Sequence, residues 1–352
     1  MEKALIAMSG GVDSSVAAYL VKEAGYECIG ATMRLFDGED GIGDSKCCSL
    51  DDVLDAKSVA HKMGIPHHTF NFKGDFEKEV ISRFIADYER GATPNPCIEC
   101  NRHLKFEALY DRGRALGCDY IVTGHYARIE NTDGKFHLFR AKDTSKDQSY
   151  VLYSLTQELL STTLFPLGAL SKNETRRIAE TQGFCVSDKP ESQDICFIPD
   201  GDYAAFISRR TGKKYPEGNF VDSDGNILGR HKGIINYTIG QRKGLGIALG
   251  APAYVKSIDT ANNTVVLCKN EELFTDTLDA YDFNWISGEV PNSAISCSAM
   301  VRYRGALKPA TVMPTGQNTV HINFHEPQRA VTPGQAVVLY SGNEVLGGGK
   351  IK

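Results

Sequence analysis

The stretch KALIAMSGGVDSSVAAYL, residues 3–20, decides the fold expected of this 352-residue chain. A short apolar run predicts a buried β-strand, and apolar residues at helical spacing after it predict an α-helix. Between them lies SGGVDSS, residues 9–15. Gly10 and Gly11 have no Cβ, so their backbone N–H groups can approach phosphate oxygens, and the N-terminus of the helix adds positive charge. The stretch therefore predicts a nucleotide-phosphate loop, with a tight turn capped by serines as the simpler alternative.

Asp13 is the residue of this loop that needs a separate explanation. A carboxylate repels bare phosphates, but carboxylate and phosphate oxygens together are the usual ligands of Mg²⁺. The chain contains no GxxxxGK[ST] motif, which excludes a Walker-type loop. We therefore predict that Mg²⁺ lies between Asp13 and the phosphates of a bound nucleotide.

Strands and helices alternate through the N-terminal part of the chain. The predicted strands cover residues 3–8, 26–33, 67–72 and 119–124, and the predicted helices include 76–88 and 96–116. This alternation predicts an α/β domain with a parallel sheet.

The character of the sequence changes after about residue 205. Residues 254–258 and 264–268 predict a hairpin, and short alternating segments from Cys297 onward predict a small β-barrel. The predicted domains are an N-terminal catalytic domain, a small central domain that contacts nucleic acid and a C-terminal barrel, over residues 1–205, 206–275 and 276–352.

Composition restricts the class of protein. Hydrophobic residues make up 41% and charged residues 24% of the chain, as in ordinary globular proteins, and the formal net charge of −5 gives no general argument for nucleic-acid binding. Neither a long apolar run nor a signal-peptide pattern is present, so we expect a cytoplasmic protein without a membrane span. Three basic segments are candidate phosphate contacts or simply solvated surface: SRRTGKK (208–214), RHKG (230–233) and GQRKG (240–244).

A second informative stretch is TPNPCIECNRHLKF, residues 93–106. Asn95 and Pro96 are typical of a helix start, so Cys97 and Cys100 should lie one turn apart on one face. The N-terminus of a helix favours the thiolate, which predicts reactive cysteines. A four-cysteine zinc site would need a second spaced pair, whereas Cys47 and Cys48 are adjacent. A structural disulfide is disfavoured in a reducing cytosol, and most of the ten cysteines should be buried thiols.

Six motifs together resemble the bacterial tRNA-specific 2-thiouridylases, a family of PP-loop ATP pyrophosphatases, over essentially the whole chain. They are SGGVDSS, TPNPCIECNRHLKF, TGHYAR (123–128), KDQSYVLY (146–153), SQDICFI (192–198) and YTIGQRKGLG (237–246). The resemblance implies a PP-loop adenine-nucleotide α-hydrolase-like domain, a central domain and a C-terminal β-barrel. It also implies ATP-dependent replacement of the 2-oxygen of the wobble uridine, position 34, by sulfur in tRNAs for Lys, Glu and Gln. The implied partners are tRNA and a persulfide or sulfide donor, such as a cysteine desulfurase or a relay protein.

The same resemblance implies roles for individual residues. Cys196 would carry a persulfide, Cys100 would be the nucleophile that completes transfer, and Asp13 would take part in catalysis. The implied ATP-binding residues are Ala7, Met8, Ser9, Gly10, Gly11, Val12, Asp13, Ser14, Met33 and Gly124. Those beside the target base are Asn95, Pro96 and Cys97. Those that contact tRNA are His125, Lys146, Asp147, Gln148, Arg302, Tyr303, Arg304 and Gln335. His125 as a structural residue, and RYR (302–304) as an exposed strand face, are the simpler alternatives.

Cys97 departs from the pattern of many members of the family, which have aspartate at this position. With Cys97 present, the chain has a CxxC pair and a distant cysteine. That set resembles tRNA thiolases in which three cysteines hold a 4Fe–4S cluster with one open iron. Cys97, Cys100 and Cys196 are therefore candidate cluster ligands, and the sequence leaves a persulfide relay and a cluster mechanism open.

Two other classes of protein remain at this point. Another PP-loop enzyme, such as an amidotransferase-type synthetase or a lysidine synthetase, would explain SGGVDSS but not Cys100 and Cys196. A nucleotide-sensing or RNA-binding module without catalysis would explain neither Asp13 nor the CxxC pair.

Overall fold

The computed structural model describes residues 1–36, 50–190 and 195–352. Cys47 and Cys48 lie outside the described residues, as do residues 192–194 of the SQDICFI motif.

The N-terminal region is built on a five-stranded parallel sheet in the order β3-β2-β1-β4-β7. Its strands are β1 Lys3–Ala7, β2 Glu27–Arg34, β3 His67–Asn71, β4 Tyr120–Val122 and β7 Thr163–Leu164. The first four are the predicted strands. The fifth has only two residues, too few for any periodicity to show. All strands are parallel, so their carboxyl ends meet at one edge of the sheet.

The helices of the described residues lie mainly between these strands. They are α1 Val12–Glu23, α2 Leu50–Met63, α3 Lys73–Phe76, α4 Ser82–Glu89, α5 Pro96–Glu99, α6 Leu109–Ala115, α7 Gln157–Ser161, α8 Lys172–Thr181 and α9 Tyr203–Thr211. Two π-helical segments, Glu77–Ile81 and Cys100–Ala108, join α3 to α4 and α5 to α6. The predicted helices at 76–88 and 96–116 are therefore continuous helical runs with wider turns inside them. None of the described helices has the length and apolar character to cross a membrane.

The central region carries a four-stranded sheet in the order β10-β11-β8-β9. The predicted hairpin at 254–268 is its antiparallel pair β10–β11. The bounds are β8 Gly218–Val221, β9 Ile227–His231, β10 Tyr254–Asp259 and β11 Thr264–Cys268. Phe220, Val255 and Val265 are fully buried in its separate small core.

The C-terminal strands close into a barrel, because β12 pairs with both β15 and β17. Its strands are β12 Phe274–Trp285, β13 Ile295–Met300, β14 Lys308–Gly316, β15 Thr319–Arg329, β16 Ala336–Ser341 and β17 Glu344–Ile351. A hairpin from the N-terminal region, β5 Ala127–Thr132 and β6 Lys135–Arg140, extends this sheet through β17. The predicted fold class, a PP-loop-type parallel sheet followed by a central domain and a β-barrel, is confirmed. The N-terminal region and the barrel nevertheless share one sheet.

Candidate active site

A cavity of about 680 Å³ opens at the carboxyl ends of β1, β2 and β4. The predicted residues on its wall are Ala7, Met8, Ser9, Gly11, Val12, Asp13, Ser14, Met33, Asn95, Pro96, Cys97, Gly124, His125, Lys146, Gln148, Cys196, Tyr303, Arg304 and Gln335. The other predicted residues, Gly10, Cys100, Asp147 and Arg302, lie outside this wall. The structure thus brings the phosphate loop, two of the three cysteines and barrel residues to one cavity, while the role of each residue stays a prediction.

The phosphate loop is shaped by hydroxyl groups and by close backbone contacts. Ser14 Oγ and Ser15 Oγ donate hydrogen bonds to the carbonyl oxygen of Gly11, at 3.1 and 2.9 Å. Gly10 has a φ of +74°, and a Cβ there would lie 2.2 Å from the carbonyl oxygen of Asp52. A side chain at Gly124 would come within 2.9 Å of the backbone of Asp13. Both glycines are therefore required so that the backbone can pack this tightly.

Asp13 is paired with a lysine that the sequence did not identify. Lys172 Nζ lies 2.7 and 2.8 Å from the two carboxylate oxygens, and the Tyr126 hydroxyl donates to Asp13 Oδ1 at 2.9 Å. Part of the repulsion between Asp13 and phosphate is thereby neutralised. The oxygens retain lone pairs, and Mg²⁺ in nucleotide sites uses one or two carboxylates plus phosphate oxygens. The residues present fit such an ion, with Asp13 as its protein ligand.

The cavity wall carries more cationic than acidic side chains although the chain as a whole is acidic. Lys189 Nζ donates to Asp52 Oδ1 at 2.5 Å, Asp55 Oδ2 at 2.8 Å and the Gly10 carbonyl at 3.0 Å, which ties the loop to α2. The described wall carries one carboxylate, Asp13, against five cationic side chains: Lys105, Lys146, Lys172, Lys189 and Arg304. This balance favours a polyanion such as a triphosphate or an RNA backbone.

The predicted start of the cysteine helix, residues 96–115, is confirmed. Asn95 Oδ1 accepts a hydrogen bond from the backbone N–H of Cys97 at 3.2 Å, and Pro96 is the first helical residue. Cys97 is exposed and lines the cavity, whereas Cys100 packs against the hydrophobic cluster that contains Phe197. The expectation that the helix N-terminus lowers the pKa of both thiols is wrong for Cys100. Burial raises the pKa of Cys100, and the charge of Lys105 only partly opposes this.

The candidate iron–sulfur ligands do not form a metal site as they are arranged here. Among residues 1–36, 50–190 and 195–352, no three His, Cys, Asp or Glu side chains are grouped so that they could hold a metal ion. Cys97 and Cys196 both line the cavity, and Cys100 and Cys196 both pack against the cluster around Phe197. The arrangement of the described residues does not fit a three-cysteine cluster.

Glu99, between the two cysteines of the CxxC pair, is buried and ion-paired. Its Oε1 lies 2.8 Å from Lys350 Nζ on β17, and its Oε2 lies 3.4 Å from Arg83 Nη1. Burial favours the neutral acid, but the contacts with His103, Lys350 and Arg83 outweigh it and lower the pKa of Glu99 to about 2. The charge of Glu99 is therefore compensated from two sides, by Lys350 of the barrel and by Arg83 and His103 of the N-terminal region.

His125 is held inside the protein. It is 7% exposed, and its Nδ1 lies 2.6 Å from Thr123 Oγ1 while Lys105 Nζ donates to Nε2 at 3.4 Å. Burial and the charge of Lys105 keep the pKa of His125 well below its usual value, so the ring is neutral. These contacts fit the alternative that His125 is a structural residue, which here orients Lys105. Contact with tRNA remains a prediction.

The other predicted tRNA residues divide into two groups. Lys146, Gln148, Tyr303, Arg304 and Gln335 line the cavity. Asp147 faces inward, since its carboxylate accepts hydrogen bonds from Arg140 Nε at 3.0 Å and from the backbone N–H of Ala141 at 2.9 Å. Asp147 therefore has a structural role in this loop, and a contact between its side chain and tRNA has no geometric support. Arg302 lies outside the wall.

Two of the basic segments differ in their surroundings. In SRRTGKK, Arg210 and Lys213 form ion pairs with Glu77 and Glu89 of the N-terminal region, at 2.5 and 2.7 Å. Arg242 and Lys243 of GQRKG are exposed. The first segment therefore helps to join two regions, while the second presents charge to solvent.

Sequence reasoning missed Lys105, Lys172, Lys189 and Tyr126, which all line the cavity. Lys105 and Tyr126 lie inside two of the quoted motifs, TPNPCIECNRHLKF and TGHYAR, and Lys172 carries a capping signal. Ser171 and Glu174 form a capping box, which places Lys172 at the first position of α8. Lys189 lies outside the quoted motifs and is defined by long-range contacts with Gly10, Asp52 and Asp55.

The fold and this cavity define a nucleotide-binding α/β enzyme of the PP-loop class with an appended β-barrel. Three family models match the chain: the "tRNA methyl transferase HUP domain" at residues 2–200, the "tRNA methyl transferase PRC-barrel domain" at 204–269 and the "Aminomethyltransferase beta-barrel domain" at 275–351.

Curated relatives resemble the chain over its full length. A protein of Clostridioides difficile is 49% identical over 100% of this chain and 98% of its own length. One of Lachnoclostridium phytofermentans is 50% identical over 100% of this chain and 99% of its own. Both are named tRNA-specific 2-thiouridylase MnmA. The chain therefore belongs to the tRNA-specific 2-thiouridylase family, a family of sulfurtransferase enzymes.

Proposed function

We propose that this protein uses ATP to replace the 2-oxygen of the wobble uridine, position 34, by sulfur in tRNAs for Lys, Glu and Gln. The observation that carries the proposal is a single cavity in which the phosphate loop, Cys97, Cys196 and cationic side chains face one another. Other PP-loop synthetases would need the loop but not the cysteines. The family of the chain and the names of its relatives point to the same activity.

The phosphate loop and the lysines serve the first step. The backbone around Gly11 and the ammonium groups of Lys172 and Lys189 bind the triphosphate, and Asp13 holds Mg²⁺, which would neutralise charge on the phosphates when bound. The uridine leaves its stack to reach the cavity, where its O2 attacks the α-phosphorus of ATP. Pyrophosphate departs, N3 of the base loses its proton to water, and O2 becomes part of an adenylate from which AMP is a good leaving group. The proton returns to N3 when the thiolated base is released.

The cysteines serve the second step. A donor protein, such as a cysteine desulfurase or a relay protein, loads Cys196 with a terminal persulfide sulfur. That sulfur attacks C2 of the base and displaces AMP, which leaves a disulfide link between the base and Cys196. The Cys100 thiolate then attacks Cys196 Sγ and releases the 2-thiouridine. The Cys100–Cys196 disulfide that remains is reduced by two electrons from an external thiol before the next turnover.

The test is thiolation by purified protein in the presence of ATP, Mg²⁺ and a persulfide donor. The expected product is 2-thiouridine at position 34, detected by nucleoside mass spectrometry of an unmodified tRNA transcript. Matched controls are the same transcript with cytidine at position 34 and the Cys196→Ser variant, neither of which should gain sulfur. ATP-dependent pyrophosphate release without sulfur in the wild-type reaction would instead indicate another PP-loop activity.

A further inference from the structure

Two ion pairs join the cysteine helix to the barrel. Lys350 of β17 lies 2.8 Å from Glu99, and Arg102 makes a two-point contact with Asp282 of β12, at 2.6 and 3.3 Å. Lys350 Nζ is also 3.9 Å from Asp282 Oδ2, so the two pairs form one network. Glu99 and Arg102 flank Cys100 in the chain. The network therefore contacts the helix on both sides of that cysteine.

Glu99 and Lys350 are both largely buried, so the contact between them restricts where the Glu99 carboxylate can lie. Glu99 is 6% exposed, and the side chain of Lys350 is 18% exposed. A buried carboxylate that loses a partner must move toward water or toward another cation, because an uncompensated charge is costly in a protein interior. Without Lys350, Glu99 keeps only the 3.4 Å contacts of its Oε2 with Arg83 and His103. A shift of Glu99 toward these partners would pull on the turn that carries Cys97 and Cys100.

A second link runs to the start of the same helix. Gln335 Nε2 donates to the carbonyl oxygen of Thr93 at 2.7 Å, and the N–H of Thr93 donates to the carbonyl of Pro333 at 2.9 Å. The N–H of Ile351 donates to the carbonyl of Gln335 at 2.8 Å. The last residues of β17 are thus connected both to the CxxC pair and to the segment that precedes it.

We propose that Lys350 and Asp282 are positioning residues for sulfur transfer: from the barrel they fix the turn that carries Cys97, on the cavity wall, and Cys100, which packs with Cys196 against the cluster around Phe197. The inference rests on the proposed function for the step that it affects. The barrel is accordingly part of the scaffold of the active site as well as a surface for tRNA.

The first experiment separates the two chemical steps in the full-length enzyme. Lys350→Met should lower formation of 2-thiouridine at least about tenfold, while tRNA-dependent pyrophosphate release in a single turnover and the KM for tRNA stay within about twofold. Lys350→Arg, which keeps the charge, should restore most of the thiolation. Lys308→Met is the matched control, because it removes another ion pair of the barrel, that with Glu326, away from the cysteines.

Equal thiolation by Lys350→Met and wild type would overturn the proposal. An equal loss of both chemical steps would also overturn it, because that pattern indicates general destabilisation. Asp282→Asn, which weakens the Arg102 contact but leaves Lys350 in place, should give the same selective loss to a smaller extent. A loss of pyrophosphate release alone in this variant would contradict the assignment.

The second experiment does not depend on the reaction. Amide hydrogen exchange of the full-length protein, followed by mass spectrometry, reports opening of peptides that cover residues 95–108. Lys350→Met should speed exchange there about tenfold, with little change in peptides of α1, and Lys308→Met should leave both unchanged. If wild-type protein makes no thiolated tRNA but this exchange result holds, the proposed function fails and the positioning role survives. Unchanged exchange in Lys350→Met refutes the positioning role itself.

Discussion

The phosphate loop and the cysteine helix face the same cavity, but they are held in different ways. The loop is fixed within the N-terminal region: hydroxyl groups bind the Gly11 carbonyl, and Lys189 binds that of Gly10. The cysteine helix is held from the barrel by Lys350 and Asp282. The use of ATP and the transfer of sulfur should therefore respond to different parts of the chain, although the proposed function assigns both to one cavity.

The largest expected effect lies on the cysteine side. Cys100→Ser and Cys196→Ser should each abolish thiolation, because in the proposed relay each cysteine holds or releases the transferred sulfur. Pyrophosphate release in the first turnover should persist, since the loop is held independently. Nucleoside mass spectrometry and a pyrophosphate assay on the same reaction give both values. Cys185→Ser, at an exposed cysteine elsewhere, is the control and should thiolate normally. Thiolation by either of the first two variants would contradict the relay.

Cys97 distinguishes the relay from a cluster. In a persulfide relay, Cys97 stands where many members of the family have aspartate, so metal-free Cys97→Asp enzyme should keep substantial activity. In a cluster mechanism Cys97 is a ligand, and carboxylate is a poor substitute for thiolate at iron. Anaerobic reconstitution should then give about four irons per chain, with activity proportional to iron content. We expect metal-free wild-type enzyme to thiolate fully when supplied with a persulfide donor; activity that follows iron would overturn the relay.

At the phosphate loop we expect the opposite of the cysteine variants: pyrophosphate release, the first step, should itself be lost. Asp13→Asn removes the negative charge that pairs with Lys172 and that, in the proposed function, would hold Mg²⁺. Pyrophosphate release should therefore fall about 100-fold, as when other preorganised electrostatic groups are removed. Affinity for tRNA, measured by filter binding, should change little. Asp111→Asn is a useful control, because that carboxylate is exposed on α6 and lies outside the cavity wall. Retention of rapid pyrophosphate release by Asp13→Asn would show that this carboxylate is dispensable.

The difference between local contacts and contacts of residues far apart in the chain explains which features the sequence could predict. Asn95, Pro96 and the SGGVDSS loop are local patterns, so the helix start and the strand–loop–helix unit were predictable. Lys350 is 251 positions from Glu99, and no periodicity links them. The raised pKa of Cys100 was missed for a related reason: burial by a distant hydrophobic cluster outweighs the local effect of the helix N-terminus. Short β7 and the hairpin that joins the barrel sheet also depend on partners far along the chain.

A smaller effect, on the salt dependence of tRNA binding, is expected outside the cavity at the basic segments. If about five phosphates are contacted, log K for tRNA should fall with log salt at a slope of roughly −3 to −5. Exposed Arg242 should contribute to this slope, so Arg242→Gln should reduce its magnitude by about 1. Arg210→Gln should change it less, since Arg210 already pairs with Glu77. Filter binding across a salt series measures both. A flat dependence for wild type, or equal changes in the two variants, would contradict this difference.

The smallest effect, on the pH dependence of stability, concerns His67, which supports the phosphate loop from within the N-terminal region. Thr32 Oγ1 donates to the Met8 carbonyl at 2.7 Å and must accept from His67 Nε2 at 2.9 Å, because its one hydrogen is already used. Burial, with the charges of Lys57 and His68, lowers the pKa of His67 to about 4.

The folded pKa of His67 is below the unfolded value of about 6.5, so the unfolded chain binds the proton first as pH falls. Stability from neutral His67 is therefore fully present above pH 6.5 and declines until about pH 4. Partial exposure limits the loss to about 1–2 kcal/mol between pH 7 and 5. Urea unfolding at both pH values should show that His67→Gln removes this part of the decline, whereas His61→Gln, at an exposed site, does not. The same pH dependence in His67→Gln and wild type would mean that the proton is taken up elsewhere, and that the loop does not depend on a neutral His67.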